Sequence, residues 1–236
     1  MPRIIAALIR HGDYFQLPDT PSAWQPFPLN QEGKKHALAA ADAIYKTLNE
    51  NSWQLDNNCD SSQLLRAWQT ASIISDKLIK LNSSNKHLNV TAFEQLAERG
   101  VGSVANLPIS RIEEIINIDP RYKNLPEDWK SNSYYRLPFQ GAESLMDSGE
   151  RVAKHIKTSM LELSNEIKTD TLKLFVGHGA AFRHAAFHLG LLKFEQIAQL
   201  SMFHGSPVYI ELTENDQWTH IFGEWKVRAE TTQYTD

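Results

Sequence analysis

The sequence predicts a single α/β domain with a mainly parallel central sheet and an inserted lid. Strand-like and helix-like segments alternate along most of the chain, which is typical of parallel strands joined by helices. The apolar runs 3–9 and 171–176 are nearly continuous, as expected for strands that helices cover on both faces. Residues 100–142 lose this periodicity and contain many Pro, Asn, Trp and Tyr residues, so we interpret them as an ordered lid. No repeat or linker interrupts the chain, and residues 1–236 are expected to form one domain.

The first half of the chain contains two helix patterns between strand patterns. After the strand 3–9, a helical pattern starts at Asn30, a residue type that caps helix N-termini. Apolar residues then recur at helical spacing, at Ala37, Ala40, Ala41, Ile44 and Leu48. Residues 53–62 are polar and weakly patterned, and we interpret them as a strand with a loop. Residues 63–81 form a clear amphipathic helix, and residues 87–93 alternate as a strand does.

The second half of the chain returns to regular elements after the lid. The predicted elements are a short helix near 109–117 within the lid, a helix over 143–167, a strand from Thr171, a helix to about Gly190, and a closing hairpin of 207–213 and 218–227.

Composition excludes several classes of protein. With 42% hydrophobic and 22% charged residues, the chain has the balance of an ordinary globular protein. The net charge is -4 and no dense Lys/Arg tract is present, which argues against nucleic-acid and membrane-surface partners. A single cysteine, Cys59, cannot form an intrachain disulfide. The N-terminal segment has no signal-peptide pattern, and no run approaches the roughly 20 apolar residues of a membrane span. We therefore expect a cytoplasmic location.

Two histidines occupy equivalent positions at the ends of two predicted strands. His11 follows the first apolar run, and His178 follows the run that starts at Thr171, each with a glycine beside it. The carboxyl ends of parallel strands form the ligand-binding edge of an open α/β sheet. Arg10 adds a planar cation suited to binding an oxyanion. One loop histidine alone is most often an ordinary loop residue, whereas the repeated arrangement favours an anion-binding site.

Six segments resemble motifs of a known family. "LIRHGDYF" (8–15) is similar to the defining motif of the histidine phosphatase superfamily, which includes cofactor-dependent phosphoglycerate mutase. Five further matches follow in family order: "PLNQEGKKHA" (28–37), "SSQLLRAWQTASII" (61–74), "LAERGVGSV" (96–104), "GAESLMDSGERV" (141–152) and "FVGHGAAFRHA" (175–185). Single motifs of this kind are weakly specific, but six in order are highly specific.

The resemblance implies a fold and a chemistry. The fold would be the three-layer α/β/α arrangement of phosphoglycerate mutase-like proteins. His11 would be the nucleophile that attacks phosphorus and forms a phosphohistidine, with its other ring nitrogen held by a fixed acceptor. Arg10, Arg66 and His178 would surround the phosphoryl oxygens, with His178 also counted as catalytic. No cofactor and no metal are implied.

Three residues are candidates for the general acid that protonates the leaving alkoxide. Glu98 falls where the family's Glu-Arg pair places this residue. Glu94, one helical turn earlier, and Asp13, directly after the nucleophile motif, remain alternatives.

Other polar residues have weaker assignments. Tyr134, Tyr135 and Arg136 in the lid either contact the leaving group of the substrate or pack structurally, and His204 is a further candidate for the substrate rim. His184 and His188 lie four residues apart on a predicted helix, but no carboxylate motif accompanies them and no metal site is predicted.

Differences between this sequence and the family's motifs help to distinguish between a phosphatase and a mutase. The mutases' Trp-Asn dipeptide after the nucleophile is absent, and their paired arginines have no clear counterpart in 109–136. Gly177 replaces a serine of many relatives. These differences favour a metal-independent phosphomonoesterase acting on a small phosphorylated metabolite. A mutase-type phosphotransferase and a catalytically inactive phosphate-binding scaffold are the alternatives, and a homodimer is compatible with the sequence.

Overall fold

A computed structural model describes residues 2–81, 87–122, 125–213, 215 and 217–228. In chain order, its strands and helices are β1 (Ile4–Arg10), α1 (Gln31–Asn51), β2 (Gln54–Ser62), α2 (Leu65–Leu81), β3 (Asn89–Phe93), α3 (Ile109–Ile118), α4 (Leu145–Ser164), β4 (Thr171–Gly177), α5 (Gly179–His188), α6 (Phe194–Gln199), β5 (Leu200–Ser201), β6 (Val208–Leu212), β7 (Trp218–Phe222) and β8 (Lys226–Val227).

A six-stranded sheet with the order β3-β2-β4-β1-β6-β7 forms the centre of the molecule. The first four strands in this order run parallel to one another. Strands β6 and β7 add an antiparallel edge beside β1. The predicted mainly parallel α/β sheet is confirmed. Because β1 and β4 are neighbours in register, the residues that follow them lie side by side at one edge.

Helices cover both faces of the sheet, which explains the continuous apolar sequence of β1. Ile5, Ala7 and Ile9 pack on one face in a cluster with residues of α1 and α2. Ala6 and Leu8 pack on the other face with residues of α4 and α5. Since alternate side chains of a strand point to opposite faces, both sets must be apolar in a three-layer fold.

Polar side chains set the N-termini of two long helices. The Asn30 side chain accepts a hydrogen bond from the Gly33 amide at 2.8 Å, as the sequence predicts for a cap of α1. In α4, Ser144 and Asp147 form a reciprocal capping box, so the helix begins at Leu145 rather than at residue 143.

The polar segment 53–62 forms one strand rather than a strand with a loop, with a register shift between Leu55 and Cys59. A buried ionic cluster accounts for its polar side chains. The Nζ atom of Lys173 lies 2.8 Å from Asp56 and 3.0 Å from Asp60. A buried cation of this kind needs carboxylate partners, and β2 supplies them.

The predicted closing hairpin is confirmed for β6 and β7, but its second strand is shorter than expected. Strand β7 ends at Phe222, and Gly223 follows with a φ of +87°, a conformation that favours glycine. The chain then changes direction, and β8 pairs with β5 in a separate two-stranded sheet. The short helix α6 was not expected.

The two ends of the segment 100–142 lie side by side, because Val101 and Ala142 form an isolated β-bridge. It contains α3, which confirms the short helix predicted near 109–117. Its apolar side chains form a small core around Trp129 and Ile112. This segment therefore packs as an insertion with its own core, and its role as a lid stays a prediction. Across the described residues, every helix is too short or too polar to cross a bilayer.

The contact between α4 and α5 depends on Gly149, where an added Cβ would overlap His184. Alanine gains about 1 kcal/mol over glycine in a helix interior. The overlap includes His184 backbone, so we expect Gly149→Ala to lower the free energy of unfolding by about 1–3 kcal/mol.

Thermal and urea unfolding measure this effect, and the exposed neighbour Glu150→Ala is the matched control, expected to change stability by less than about 0.5 kcal/mol. Equal stability of Gly149→Ala and the control would contradict this packing.

Candidate active site

A cavity lies where β1 and β4 end, and the sheet brings the two predicted histidine segments together there. The His11 amide donates a hydrogen bond to the Gly177 carbonyl at 2.9 Å, which joins the two strand ends. Six residues that matter for the chemistry line this cavity: Arg10, His11, Asp13, Glu98, Gly179 and His204. Arg66 and His178 contact the His11 ring from behind it.

The imidazole of His11 is held in one tautomer. Its Nδ1 lies 2.7 Å from the Gly12 carbonyl oxygen, which can only accept, so Nδ1 carries the proton. Its Nε2 therefore presents a lone pair, which accepts a hydrogen bond from Arg66 Nε at 3.2 Å. Burial lowers the pKa of His11 well below its usual range, and the nearby Arg66 lowers it further. The ring is neutral at pH 7, as a nucleophile must be.

Gly12 turns the chain immediately after His11. A Cβ at this position would overlap the backbone carbonyl of Gly33, at the start of α1. The Gly12 amide donates to Thr70 Oγ1 at 3.0 Å, and Thr70 donates to the Arg66 carbonyl at 2.7 Å. The glycine therefore allows close contact with α1, and α2 fixes the loop from the other side.

Arg66 is fully buried and is oriented by backbone carbonyls. Its guanidinium donates to the carbonyls of Gln25, Ser22 and Ala23, each at 3.0 Å. The guanidinium also lies 4.6 Å from the centre of the Tyr14 ring. Within the described chain, no carboxylate lies at ion-pair distance from this cation. Its positive charge is thus held rigidly beside His11.

Arg10 and the N-terminus of α5 add further positive potential to the cavity. Arg10 donates to the Met202 carbonyl at 3.0 Å and lies against Gly179, where a Cβ would come within 3.2 Å of Arg10 Cδ. Gly179 and Ala180, at the start of the ten-residue helix α5, line the cavity. Amides at a helix N-terminus stabilise a bound anion.

His178 is neutral in this state, and Ser62 positions it. Its Nδ1 lies 3.3 Å from an Arg66 donor, so the proton is on Nε2, which lies 2.8 Å from Ser62 Oγ. Burial lowers the pKa of His178 well below its usual range, and the charges of Arg66 and Arg10 lower it further. A phosphoryl anion beside this ring would favour its protonated form. The "SSQLL" motif contains Ser62, but its spacing gave no indication of this contact.

The three candidate acids lie in different places. Glu98 is buried, lines the cavity and accepts a hydrogen bond from the Arg99 amide at 2.9 Å. Asp13 also lines the cavity and accepts from Asn30 Nδ2 at 2.7 Å. Glu94 is exposed on a short 3-10 turn (Glu94–Leu96) and is not a lining residue of the cavity. The structure thus brings Glu98 and Asp13, but not Glu94, to the cavity that His11 lines.

His204, a candidate for the substrate rim, lines the cavity that contains His11. Its Nδ1 donates to the His11 carbonyl at 2.7 Å, and its ring stacks on His36 at a distance of 5.5 Å. Burial lowers the pKa of His204 to about 4, so this ring is also neutral at pH 7. The stacking residue His36 was not identified from the sequence, because its position on α1 resembles that of any partly exposed helix residue.

The structure does not bring the three predicted lid side chains to the cavity. Tyr134 is exposed and stacks on Phe194 at 5.5 Å. Arg136 forms a 2.7 Å ion pair with Asp147, the capping residue of α4. Tyr135 packs against the small core of the lid. Their packing contacts account for them, and none lines the cavity that contains His11.

The remaining candidate positions have structural partners. His184 Nδ1 donates to the Ala180 carbonyl at 2.8 Å, and His188 Nε2 lies 3.2 Å from the Met146 carbonyl. In the part of the chain that the structure describes, no group of three or more His, Cys, Asp or Glu residues is arranged to hold a metal ion.

At Gly177, a Cβ would lie 2.8 Å from the Phe182 ring, which explains why serine does not fit there.

Comparison with known proteins identifies the family and the fold. A family model described as the histidine phosphatase superfamily (branch 1) matches residues 6–223. A 2,3-bisphosphoglycerate-dependent phosphoglycerate mutase from Parvibaculum lavamentivorans is 25% identical over 219 residues, covering 91% of this chain and 92% of that protein. The mutase of the same name from Rhizobium meliloti is 26% identical over 210 residues, covering 87% and 88%.

Solved structures share the whole fold at lower identity. The mycobacterial glucosyl-3-phosphoglycerate phosphatase superposes with a TM-score of 0.64 and 18% identity, covering 96% of this chain and 98% of that one. A phosphoglycerate mutase from Bacillus anthracis gives a TM-score of 0.68 and 17% identity, covering 93% and 92%. The predicted phosphoglycerate mutase-like fold is confirmed.

The buried rings of His11 and His178 give a pH prediction. A pKa well below 6.5 means that these rings bind protons only at pH values well below 6.5. We expect both to stay neutral from pH 7.5 to 5.5 in the ligand-free protein. Ring ¹⁵N shifts, assigned with His11→Ala and His178→Ala, measure this. A titration of either ring with a midpoint near 6.5 would contradict the described burial and charge.

Proposed function

This chain belongs to the histidine phosphatase superfamily, and we propose that it is a phosphomonoesterase that hydrolyses a small phosphorylated metabolite through a phosphohistidine on His11. The observation that carries the proposal is the way in which the two ring nitrogens of His11 are held. Its Nδ1 proton is held by the Gly12 carbonyl, and its Nε2 lone pair faces the buried cation of Arg66. A neutral imidazole beside a positive anion-binding cavity is suited to nucleophilic attack on a phosphate ester.

In the first step, the phosphoryl oxygens bind to Arg10, Arg66 and the N-terminus of α5. The hydrogen bond from Arg66 Nε to His11 Nε2 is exchanged for one to a phosphoryl oxygen, which frees the lone pair. Nε2 then forms a bond to phosphorus while the bond from phosphorus to the ester oxygen breaks. The leaving oxygen takes a proton from Glu98, so the alcohol departs neutral.

In the second step, water attacks the phosphohistidine. Glu98, now ionised, takes one proton from the water as its oxygen bonds to phosphorus. The bond from Nε2 to phosphorus breaks, the electron pair returns to the imidazole, and inorganic phosphate leaves. Both steps use the same carboxylate in opposite directions.

The charge of the phosphoryl group is compensated by protein cations in this scheme. Arg66 is held in place by backbone carbonyls and Arg10 donates to the Met202 carbonyl, so both cations are positioned for the phosphoryl group in this reaction. These cations supply the positive charge that a metal ion would provide, and we propose that the reaction is metal-independent.

A mutase-type phosphotransferase is the second candidate, because the curated relatives at 25% and 26% identity carry that name. Hydrolysis is favoured by the sequence differences, since the Trp-Asn dipeptide and the paired arginines of the mutases lack clear counterparts. The two candidates share the phosphohistidine and differ in whether water or an alcohol accepts the phosphoryl group.

We expect the protein to release phosphate from p-nitrophenyl phosphate in excess chelator, and His11→Ala to lower kcat by about 10³-fold or more because the nucleophile is lost. His87→Ala, which changes an exposed histidine, is the matched control and should keep full activity. Full activity of His11→Ala, or complete loss in chelator, would exclude the proposed reaction.

The role of Glu98 predicts a dependence on the leaving group. Glu98→Gln should lower kcat for an alkyl phosphate by about 10²–10⁴-fold, because an alkoxide needs a proton to leave. The same variant should lower kcat for p-nitrophenyl phosphate far less, since p-nitrophenolate leaves without protonation. Asp13→Asn is the comparison. A leaving-group dependence in Asp13→Asn instead of Glu98→Gln would assign the acid to Asp13.

A further inference from the structure

Two charged side chains outside the active-site cavity, Glu143 and Arg151, form a bidentate ion pair. The Nε and Nη2 atoms of Arg151 donate to Oε1 and Oε2 of Glu143 at 2.8 and 2.7 Å. The two side chains are 25% and 23% exposed, and neither lines the cavity that contains His11. Two parallel hydrogen bonds between a guanidinium and a carboxylate hold both groups in one orientation. The pair is therefore a fixed point beside the cavity, and the proposed reaction gives it no role.

This pair binds the backbone on both sides of Glu98, the proposed general acid. Arg151 Nη1 donates to the Ala97 carbonyl, directly before Glu98, at 3.1 Å. The Gly100 amide, two residues after Glu98, donates to Glu143 Oε2 at 3.0 Å. The Glu143 amide donates in turn to the Gly100 carbonyl at 2.8 Å. The loop that contains the acid is thus attached at each end to the same ion pair.

Arg151 also holds the 3-10 turn Glu94–Leu96 that leads into this loop. Its Nη1 lies 3.2 Å from the Glu94 carbonyl and 2.9 Å from the Gln95 carbonyl. A cation is favourable beside the last carbonyls of a helical turn. Residues 97–100 belong to no helix or strand, so contacts from other parts of the chain must hold them. Because Arg151 is part of the twenty-residue helix α4, it joins this loop to a regular element of the fold.

We infer that Glu143 and Arg151 are positioning residues, which set the place of the Glu98 carboxyl group relative to the phosphate ester. The inference rests on the proposed function, in which Glu98 protonates the leaving oxygen. That transfer needs the carboxyl group within hydrogen-bond reach of the oxygen. A displacement of about 1 Å, caused by a change away from the reacting atoms, can slow a reaction about 10²-fold. Since Glu98 accepts a hydrogen bond from the next backbone amide, that of Arg99, its carboxyl group follows the loop backbone.

Two leaving groups test this role. Arg151→Met should lower kcat for an alkyl phosphate by about tenfold or more, because the acid is displaced. It should change kcat for p-nitrophenyl phosphate by less than about threefold, since p-nitrophenolate leaves without protonation. Adding Arg151→Met to Glu98→Gln should lower kcat for the alkyl phosphate by less than about threefold, because the acid it positions is already absent. The control is Arg3→Gln, which breaks a bidentate pair with Glu211 at the amino end of β1 and should leave both rates unchanged.

A second variant keeps the test decisive if Arg151→Met does not fold. Glu143→Gln preserves the size of the side chain and removes the charge that binds Arg151. It should show the same selective loss with the alkyl phosphate, to a smaller extent. An equal loss of kcat with both substrates in a folded variant, or an unchanged kcat for the alkyl phosphate, would overturn the positioning role.

Hydrogen exchange separates this inference from the proposed reaction, because it needs no turnover. The Gly100 amide should exchange about tenfold faster or more in Arg151→Met than in the unaltered protein, since the carboxylate that binds it loses its own partner. Unchanged exchange, in a protein that hydrolyses both substrates, would overturn the positioning role alone. Faster exchange in a protein whose unaltered form hydrolyses neither substrate would support the attachment of the loop and reject the phosphatase.

Discussion

The active site depends on one hydrogen bond, from His11 Nδ1 to the Gly12 carbonyl at 2.7 Å. It determines which ring nitrogen carries the proton and therefore which one has the lone pair. Much of the surrounding fold holds this carbonyl in place. Gly12 has no side chain to collide with Gly33 at the start of α1, and Thr70 of α2 binds the Gly12 amide. Two helices that cover the same face of the sheet thus fix the tautomer of a single side chain.

The electrostatics of the site depend on the backbone carbonyls that hold the Arg66 cation. Arg66 is oriented by three backbone carbonyls, which hold the guanidinium without cancelling its charge. Arg10 also donates to a backbone carbonyl, that of Met202. The charges of Arg66 and Arg10 lower the pKa of His11 and His178 further than burial alone does. In the proposed reaction, a phosphoryl group beside these cations would offset their repulsion.

The sequence correctly predicted those helices and strands whose formation depends on residues close to one another in the chain. The continuous apolar run of β1, the Asn30 cap and the helical spacing in α2 led to correct elements, because each depends on neighbouring residues. The polar strand β2 was only partly predicted, since its carboxylates pair with Lys173, more than a hundred residues away. The separation of β8 from the hairpin has a similar cause, because β8 pairs with β5.

Within the site, the motifs identified the side chains that the sheet edge assembles but not the residues that position them. Ser62 and His36 contact the site histidines from other elements, and local sequence spacing does not reveal such contacts. The sequence left open whether Tyr134 and Arg136 contact the substrate or pack structurally, and in the structure their partners are Phe194 and Asp147. Side-chain direction in an irregular segment depends on its tertiary packing.

The most direct test of the account is to determine which nitrogen is phosphorylated. The phosphoenzyme can be trapped at low temperature with ¹⁵N-labelled histidine and analysed by ³¹P–¹⁵N correlated NMR. We predict that phosphorus is bonded to Nε2 of His11 and that Nδ1 keeps its proton. Phosphorus on Nδ1, or on a residue other than His11, would show that the Gly12 hydrogen bond does not set the chemistry.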